Sequence, residues 1–443
     1  MKKNWMAVPL VAALLMTGCG QKSTWTKTMA TPMPTDAYRA QAVSKKLDTF
    51  SMNNVCSYLN DDHTWSVYVY SAHVEEEAVF EKTEEGFEHT GQYVRETLPD
   101  TWSAENAMTV SGNGQYIRIT PADAVSAAGK AGKETDAFGR ERACVVYPDA
   151  FGPGTDYVCT PTAYGLNTEI ILRKPGDKTT FDIQVQLPAL IPDTQSPDYI
   201  AFRQDKDTND VQSILYTPMA VDKRGSWSYQ NDIKLMDKDS GTNTYRLSYV
   251  IDAEFLKTAS YPVRLNQSLH LYKAKQPDTS AYSDTGDVAG HYLSPYMLVG
   301  DSTPKGEGWT YIRYETLNKL TIDPDDVIAA RYVFHNLLDL KKPMTVGAYA
   351  VTADWCSINT RWYNRPEYDT RPMSQVDVQK KGDYAFDVTT LVKEMLKNKG
   401  QKDALYSVNN SFMIRSDTPD SSALFASGDG GLFSPMLEIV LKM

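Results

Sequence analysis

The chain is short of cysteine, histidine and basic charge, and each shortage closes off a class of function. Five cysteines and six histidines occur in 443 residues. Cys19, Cys56, Cys144, Cys159 and Cys356 match no zinc-ligand spacing and the histidines stand singly, so we expect no transition-metal site. Against 56 Asp and Glu there are 45 Lys and Arg, a net charge of −11. No basic field offsets phosphate repulsion, which argues against nucleic acid and anionic lipid as partners. A G-x-S-x-G elbow is missing too, and with it the esterases built on one. Gly129-Lys130-Ala131-Gly132-Lys133 has neither the glycine spacing nor the following Ser or Thr of a phosphate loop, and reads as a flexible loop. Past Cys19 no apolar run is long enough to span a bilayer.

What is present begins with an export signal. Met1-Lys2-Lys3 gives a positive start, residues 6–16 are a short apolar run, and Thr17-Gly18-Cys19 closes it in the manner of a lipobox. This pattern predicts cleavage before Cys19, lipidation of that cysteine and anchoring of an exported lipoprotein at the bacterial cell surface; the alternative is an ordinary cleaved signal with an incidental cysteine, and either way the chain is expected to leave the cytoplasm. Residues 20–48 are rich in Thr, Met, Pro and Lys with no apolar period, as expected of a flexible tether.

From there the sequence predicts an all-β protein of two antiparallel β-sandwich domains, 49–274 and 275–443. Residues 65–70, 114–121 and 181–187 alternate apolar and polar side chains with period two, and Asp, Asn, Gly and Pro separate such runs. The 27 tyrosines, with many Thr and Val, suit half-exposed sheet surfaces. Cys144 and Cys159 flank a Gly/Pro turn at 151–154, so a hairpin could bring them together, and export permits a disulfide there. Asp205-Lys206-Asp207-Thr208-Asn209-Asp210 opens like a calcium loop but lacks the glycine and the closing glutamate. It reads first as a solvated turn, as does 237–241, and a structural calcium ion stays open.

The C-terminal domain carries the most specific pattern. Trp355-Cys356-Ser357-Ile358-Asn359-Thr360-Arg361-Trp362-Tyr363-Asn364-Arg365-Pro366, then Gly382-Asp383-Tyr384-Ala385-Phe386-Asp387-Val388-Thr389, resembles the heart of the DNRLRE family of extracellular β-sandwich domains. There a tryptophan-ended strand leads through a polar turn to a T-W-N-x-x-P element, and a later strand closes as F-D-V-T. Met297-Leu298-Val299-Gly300, the run 309–314, the run 326–334 and the closing runs at 411–415, 423–427 and 434–439 follow the order of the same family. One departure is that Cys356-Ser357 stand where an acidic pair is usual. In the middle domain, 147–157, 165–172 and 261–266 resemble in part the β-rich segment that commonly precedes such modules. The resemblance implies a jelly roll with a surface binding or structural role, and in some relatives binding of acidic polysaccharides.

One short helix is expected in that jelly roll, from Thr389 to Asn398, with Leu391, Val392, Met395 and Leu396 on one face and Asp387 or Thr389 capping it. We read it as a lid over one end of the sandwich. Paired carboxylates for glycoside cleavage are a three-dimensional property and are not legible here.

Aromatic and guanidinium side chains gather around the motif. Trp309, Tyr363 and Tyr368 could stack on sugar faces while Arg361, Asn364 and Arg365 donate hydrogen bonds, and arginines suit carboxylated sugars. Trp355 and Trp362, with Arg313 and Asp387, read as motif residues of structural kind. Three roles follow in order. The first is a non-enzymatic surface lipoprotein whose C-terminal module binds polysaccharide or a cell-wall glycan. The second is a structural or protein-interaction scaffold, and the third a polysaccharide-active enzyme with catalysis in the middle domain.

Overall fold

Strands dominate because the runs that alternate side chains can bury one face while the other stays polar. The computed structural model describes Thr24–Trp25 and most of residues 55–442, the longest interruptions being 71–77, 205–210, 272–277, 284–295, 400–409 and 429–434. The export signal with Cys19, the acidic run 205–210, and the expected tether apart from Thr24–Trp25 lie outside the described residues. The protein is all-β and sandwich-like, built from antiparallel sheets. It divides into two units, one of residues 77–275 and one combining residues 1–76 with 276–443.

The middle unit packs two sheets around one core. The first runs outward from the central strand Val263–His270, which pairs with Gly165–Leu172 on one side and with Met219–Asp222 and Val211–Tyr216 on the other. The second centres on Thr180–Gln186, flanked by Thr244–Val250 and Gln115–Pro121. Trp102 is a hub of the core between them: its ring stacks on Tyr157 at 4.6 Å, meets Phe151 edge-on, and its N–H donates to the Ile119 carbonyl at 3.2 Å. A six-residue helix, Ala253–Thr258, adds to this unit, with Asp252 accepting from the Glu254 N–H at its start.

Two expectations fail in the middle unit, one through strand pairing and the other through sheet register. Residues 130–135 form an edge strand on Glu141–Tyr147 and not a flexible loop. The hairpin around the 151–154 turn does form, but it pairs Val145 with Cys159. Cys144 is therefore one residue out of step, and successive side chains point to opposite faces. Cys159 enters the inter-sheet core, Cys144 packs outside with Val158 and Ile171, and both are free thiols. No disulfide joins them. Near Cys144 the outer face carries a chain of ion pairs, Arg264 to Glu169 and Glu134, and Arg173 to Glu134 and Asp156, at 2.7–2.9 Å.

The other unit is a jelly-roll arrangement with 13 strands among the described residues. Its strands are β1 (Thr24–Trp25), β2 (Val55–Leu59), β3 (Trp65–Tyr70), β4 (Asp278–Tyr282), β5 (Tyr296–Thr303), β6 (Gly306–Arg313), β7 (Val327–Asn336), β8 (Met344–Ala350), β9 (Ser374–Val378), β10 (Gly382–Asp387), β11 (Ser411–Arg415), β12 (Ser422–Ala426) and β13 (Met436–Leu441). On one side β2-β3-β13-β7-β10 pair in that order. On the other, β4-β6-β11-β8-β9 do so, and β5 with β12 links the two groups. Trp65, Val67 and Val69 of β3 enter this core, so the strand 65–70, expected in the middle domain, belongs here beside the last strand of the chain. β1 pairs with Asp383 and Tyr384 of β10, placing two residues of the expected tether in a sheet.

Helix α1 (Thr389–Lys397) has Leu391, Val392, Met395 and Leu396 buried in the core. Val388 stands at the cap position, and Asp387 accepts instead from the Thr389 N–H at 3.0 Å and its hydroxyl at 2.7 Å. The helix packs against β7, as a cover on the core.

Candidate functional site

The sheet β4-β6-β11-β8-β9 has two buried faces, and the second carries the site. Alternation in β6, β11 and β8 turns Ile312, Phe412, Ile414, Val346 and Ala348 into the main core. The intervening Trp309, Tyr311, Met413 and Tyr349 lie on the opposite face, beside Ala281, Val351 and Trp355. The 351–373 connection between β8 and β9 folds back over this face. Its return is held by the Val351–Tyr368 bridge, Thr352 N–H to Glu367 O at 2.8 Å and Asp369 N–H to Ala350 O at 2.9 Å. Gly347 makes room, because a Cβ there would come within 2.8 Å of the Tyr349 ring.

Trp355 pins the start of the connection. Only 7% exposed, it donates its indole N–H to Ser411 Oγ at 3.0 Å and tilts against Tyr311 at 5.8 Å. Arg313 lies 5.0 Å from its ring, donates to its carbonyl and approaches Asp354 at 3.5 Å. Of the Cys356-Ser357 pair, Cys356 is exposed, its carbonyl taking the N–H and hydroxyl of Thr360, and Ser357 is buried. Trp355 and Arg313 thus hold the loop to the sheet.

Past that anchor, aromatic rings and guanidinium groups interleave. Trp309 meets Trp362 at 5.1 Å and Tyr368 at 5.3 Å, both edge-on, and its N–H donates to Glu307 at 2.7 Å. Arg365 sits 4.5 Å from the Trp309 ring centre and 4.1 Å from that of Trp362. Arg415 lies 4.5 Å from the Trp309 ring, pairs with Asp417, and donates to the Tyr368 hydroxyl at 2.8 Å. Arg361 donates its backbone N–H to Asn364 Oδ1 at 2.6 Å and its guanidinium to the Tyr363 hydroxyl at 2.8 Å. Burial pushes the Tyr311 and Tyr349 hydroxyls up from their ordinary range, so both stay protonated.

An open cleft of ≈ 520 Å³ lies among these groups, lined by Trp309, Thr352, Tyr363, Arg365, Pro366, Glu367 and Tyr368. Four sequence candidates, Trp309, Tyr363, Arg365 and Tyr368, line it together. Tyr363 is the most open at 61% exposed, whereas Trp309 is 6% exposed. Arg361 and Asn364 do not line it and instead shape the turn that carries Tyr363. Trp362 supports Arg365 from behind the lining, and Asp387 belongs to the start of α1. Thr352, Glu367, Glu307 and Arg415 were missed. The outward parity of Arg415 in its strand was the one signal for it, and only the folded-back loop shows what it meets. Among the described residues no group of three or more His, Cys, Asp or Glu could hold a metal ion.

Comparison with known proteins bears on this same region. Residues 304–440 match the model of carbohydrate-binding module family 96. No curated protein matches the chain in sequence. Among solved structures, an exo-β-1,3-galactanase from Phanerochaete chrysosporium with galactose aligns over 83% of this chain and 96% of its own, at 10% identity and TM-score 0.16. A variant of that enzyme with β-1,3-galactotriose aligns over 84% and 100%, at 10% identity and TM-score 0.13. Likeness this slight carries no argument about fold or activity. The family match and the fold together make the C-terminal unit similar to a carbohydrate-binding module.

Proposed function

We propose that this chain is a non-enzymatic surface lipoprotein, tethered through lipid on Cys19, whose C-terminal unit binds a carboxylated polysaccharide or cell-wall glycan in the Tyr363–Arg365 cleft. One observation carries the reading. Arg313, Arg331, Arg371 and Arg415 each pair with a carboxylate, whereas Arg361 and Arg365, at the motif, form no ion pair among the described residues. The Arg365 guanidinium, held by aromatic rings, with one N–H on the Trp362 carbonyl and no counter-ion, keeps further N–H donors for a sugar carboxylate. Tyr363, exposed beside it, offers a ring for a sugar face. The family match of residues 304–440 supports a carbohydrate ligand.

Gel retardation of the full chain in polygalacturonate, glucuronoxylan, neutral β-glucan and peptidoglycan tests the reading. Retention by a carboxylated polymer, weakening as salt rises, is expected. Equal retention by the neutral β-glucan would argue against the carboxylate, and no retention by any would argue against a glycan.

A further inference from the structure

We infer that Tyr363 and Tyr368 are specificity-determining residues, each set by a neighbouring arginine to donate its phenolic proton to an acceptor oxygen of the bound glycan. This rests on the carbohydrate reading above. The argument starts from the one-way chemistry of guanidinium. Arginine has N–H donors and no acceptor. At 2.8 Å from Arg361 the Tyr363 oxygen must therefore accept, and at 2.8 Å from Arg415 the Tyr368 oxygen must accept as well. Each hydroxyl then keeps its own proton for a different partner.

Both residues line the cleft, and neither hydroxyl donates to another group among the described residues. Arg365, also in the lining, can only donate. Two phenols and a guanidinium thus meet the ligand as donors, with the Glu367 carboxylate and the Thr352 hydroxyl as the accepting side chains of the lining. A carboxylate or other acceptor-rich oxygen satisfies such donors, whereas an additional proton donor there would leave them facing a second donor. Arg361 has the role of a positioning residue. Its backbone N–H closes the turn onto Asn364, and its guanidinium fixes the orientation of the Tyr363 hydroxyl.

The test is titration calorimetry of the full chain with oligomers of polygalacturonate, and with the methyl esters of the same oligomers. Tyr363→Phe and Tyr368→Phe keep the ring and remove the hydroxyl. Each is expected to weaken binding of the acid oligomer about tenfold to a hundredfold, as for one lost hydrogen bond to a charged group, and to narrow the preference for acid over ester. Arg361→Ala should weaken the wild type but add nothing in the Tyr363→Phe background, which loss of a merely structural contact would not produce. Thermal melting of Tyr363→Phe should match the wild type, since the side chain is largely exposed. If both Phe variants bind like the wild type while Arg365→Ala loses binding, the inference is overturned and the carbohydrate reading stands. If the wild type binds neither oligomer, the carboxylated-glycan reading fails, and this inference with it.

Discussion

The guanidinium of Arg365 lies 4.1 Å from the ring centre of Trp362. With Trp309 at 4.5 Å, the cation is held by two indoles without a carboxylate partner among the described residues. Ring contacts of this kind contribute about 0.5–2 kcal/mol each, and they depend on the flat guanidinium face. Arg365→Lys keeps the charge and loses the stacking and the fork. We expect it to weaken glycan binding at least tenfold, measured by calorimetry, and binding within twofold of wild type would contradict the stacked geometry.

The β2–β3 hairpin completes the C-terminal core from far away in sequence: Tyr68 hydrogen-bonds Glu438 across 370 residues, and Trp65, Val67 and Val69 are buried in the same cluster as Leu437 and Ile439. A fragment of residues 275–443 lacks these side chains and leaves β13 with an open edge. We expect that fragment to aggregate or to show no cooperative melt by circular dichroism, and residues 49–76 linked to its N-terminus to restore one. In the full chain, Trp65→Ala should destabilise this unit by about 3–5 kcal/mol in urea.

Thiol chemistry should follow sheet faces rather than sequence proximity. Burial, then the charges of Glu134 and Glu169, pushes the Cys144 thiol up to about 12, and burial raises Cys159 as well. Iodoacetamide at pH 8 should modify the exposed Cys356 and spare Cys144 and Cys159 until the chain is denatured. A Cys144–Cys159 cross-linked peptide in the oxidised protein would contradict the one-residue register.

Burial raises the Glu96 carboxyl above its ordinary 4.5, and the His89 ring at 2.7 Å opposes the rise. The folded state therefore holds this proton more tightly than the unfolded chain does. Its contribution to stability is complete below about pH 4.5 and is lost as pH rises through the folded value. Glu96→Gln should resemble the wild type near pH 4 and gain melting temperature relative to it as pH increases. A pH-independent difference between the two would contradict the buried, raised carboxyl.

Much of the C-terminal unit was legible in sequence because its motifs and alternation agree. The runs at 309–314, 411–415 and 434–439 led to the strands Gly306–Arg313, Ser411–Arg415 and Met436–Leu441, and the apolar stripe of 391–396 became the buried side of α1. Alternation tells which side chains share a face, but not which strand lies alongside. That is why Trp65–Tyr70 was read into the middle domain although its partner is β13. Register has the same ambiguity: the hairpin at 141–161 was legible, yet one residue of offset separates Cys144 from Cys159. The cleft was legible only in part, since Tyr363 and Arg365 sit in one motif with Tyr368 just beyond it, whereas Arg415 and Glu307 come from strand positions that a single-sheet pattern assigns to solvent.

The most direct test of the account is a pull-down of the full chain, as wild type and as Tyr363→Ala/Arg365→Ala, against polygalacturonate, other uronic-acid polymers and peptidoglycan. The double change lies in an exposed loop lining the cleft and leaves the Trp355 anchor intact. Saturable retention of the wild type that the double variant abolishes, with both proteins showing a cooperative melt well above the assay temperature, is the predicted result. Equal retention of the two would contradict the cleft as the binding site, and no retention of either would contradict glycan binding by the C-terminal unit.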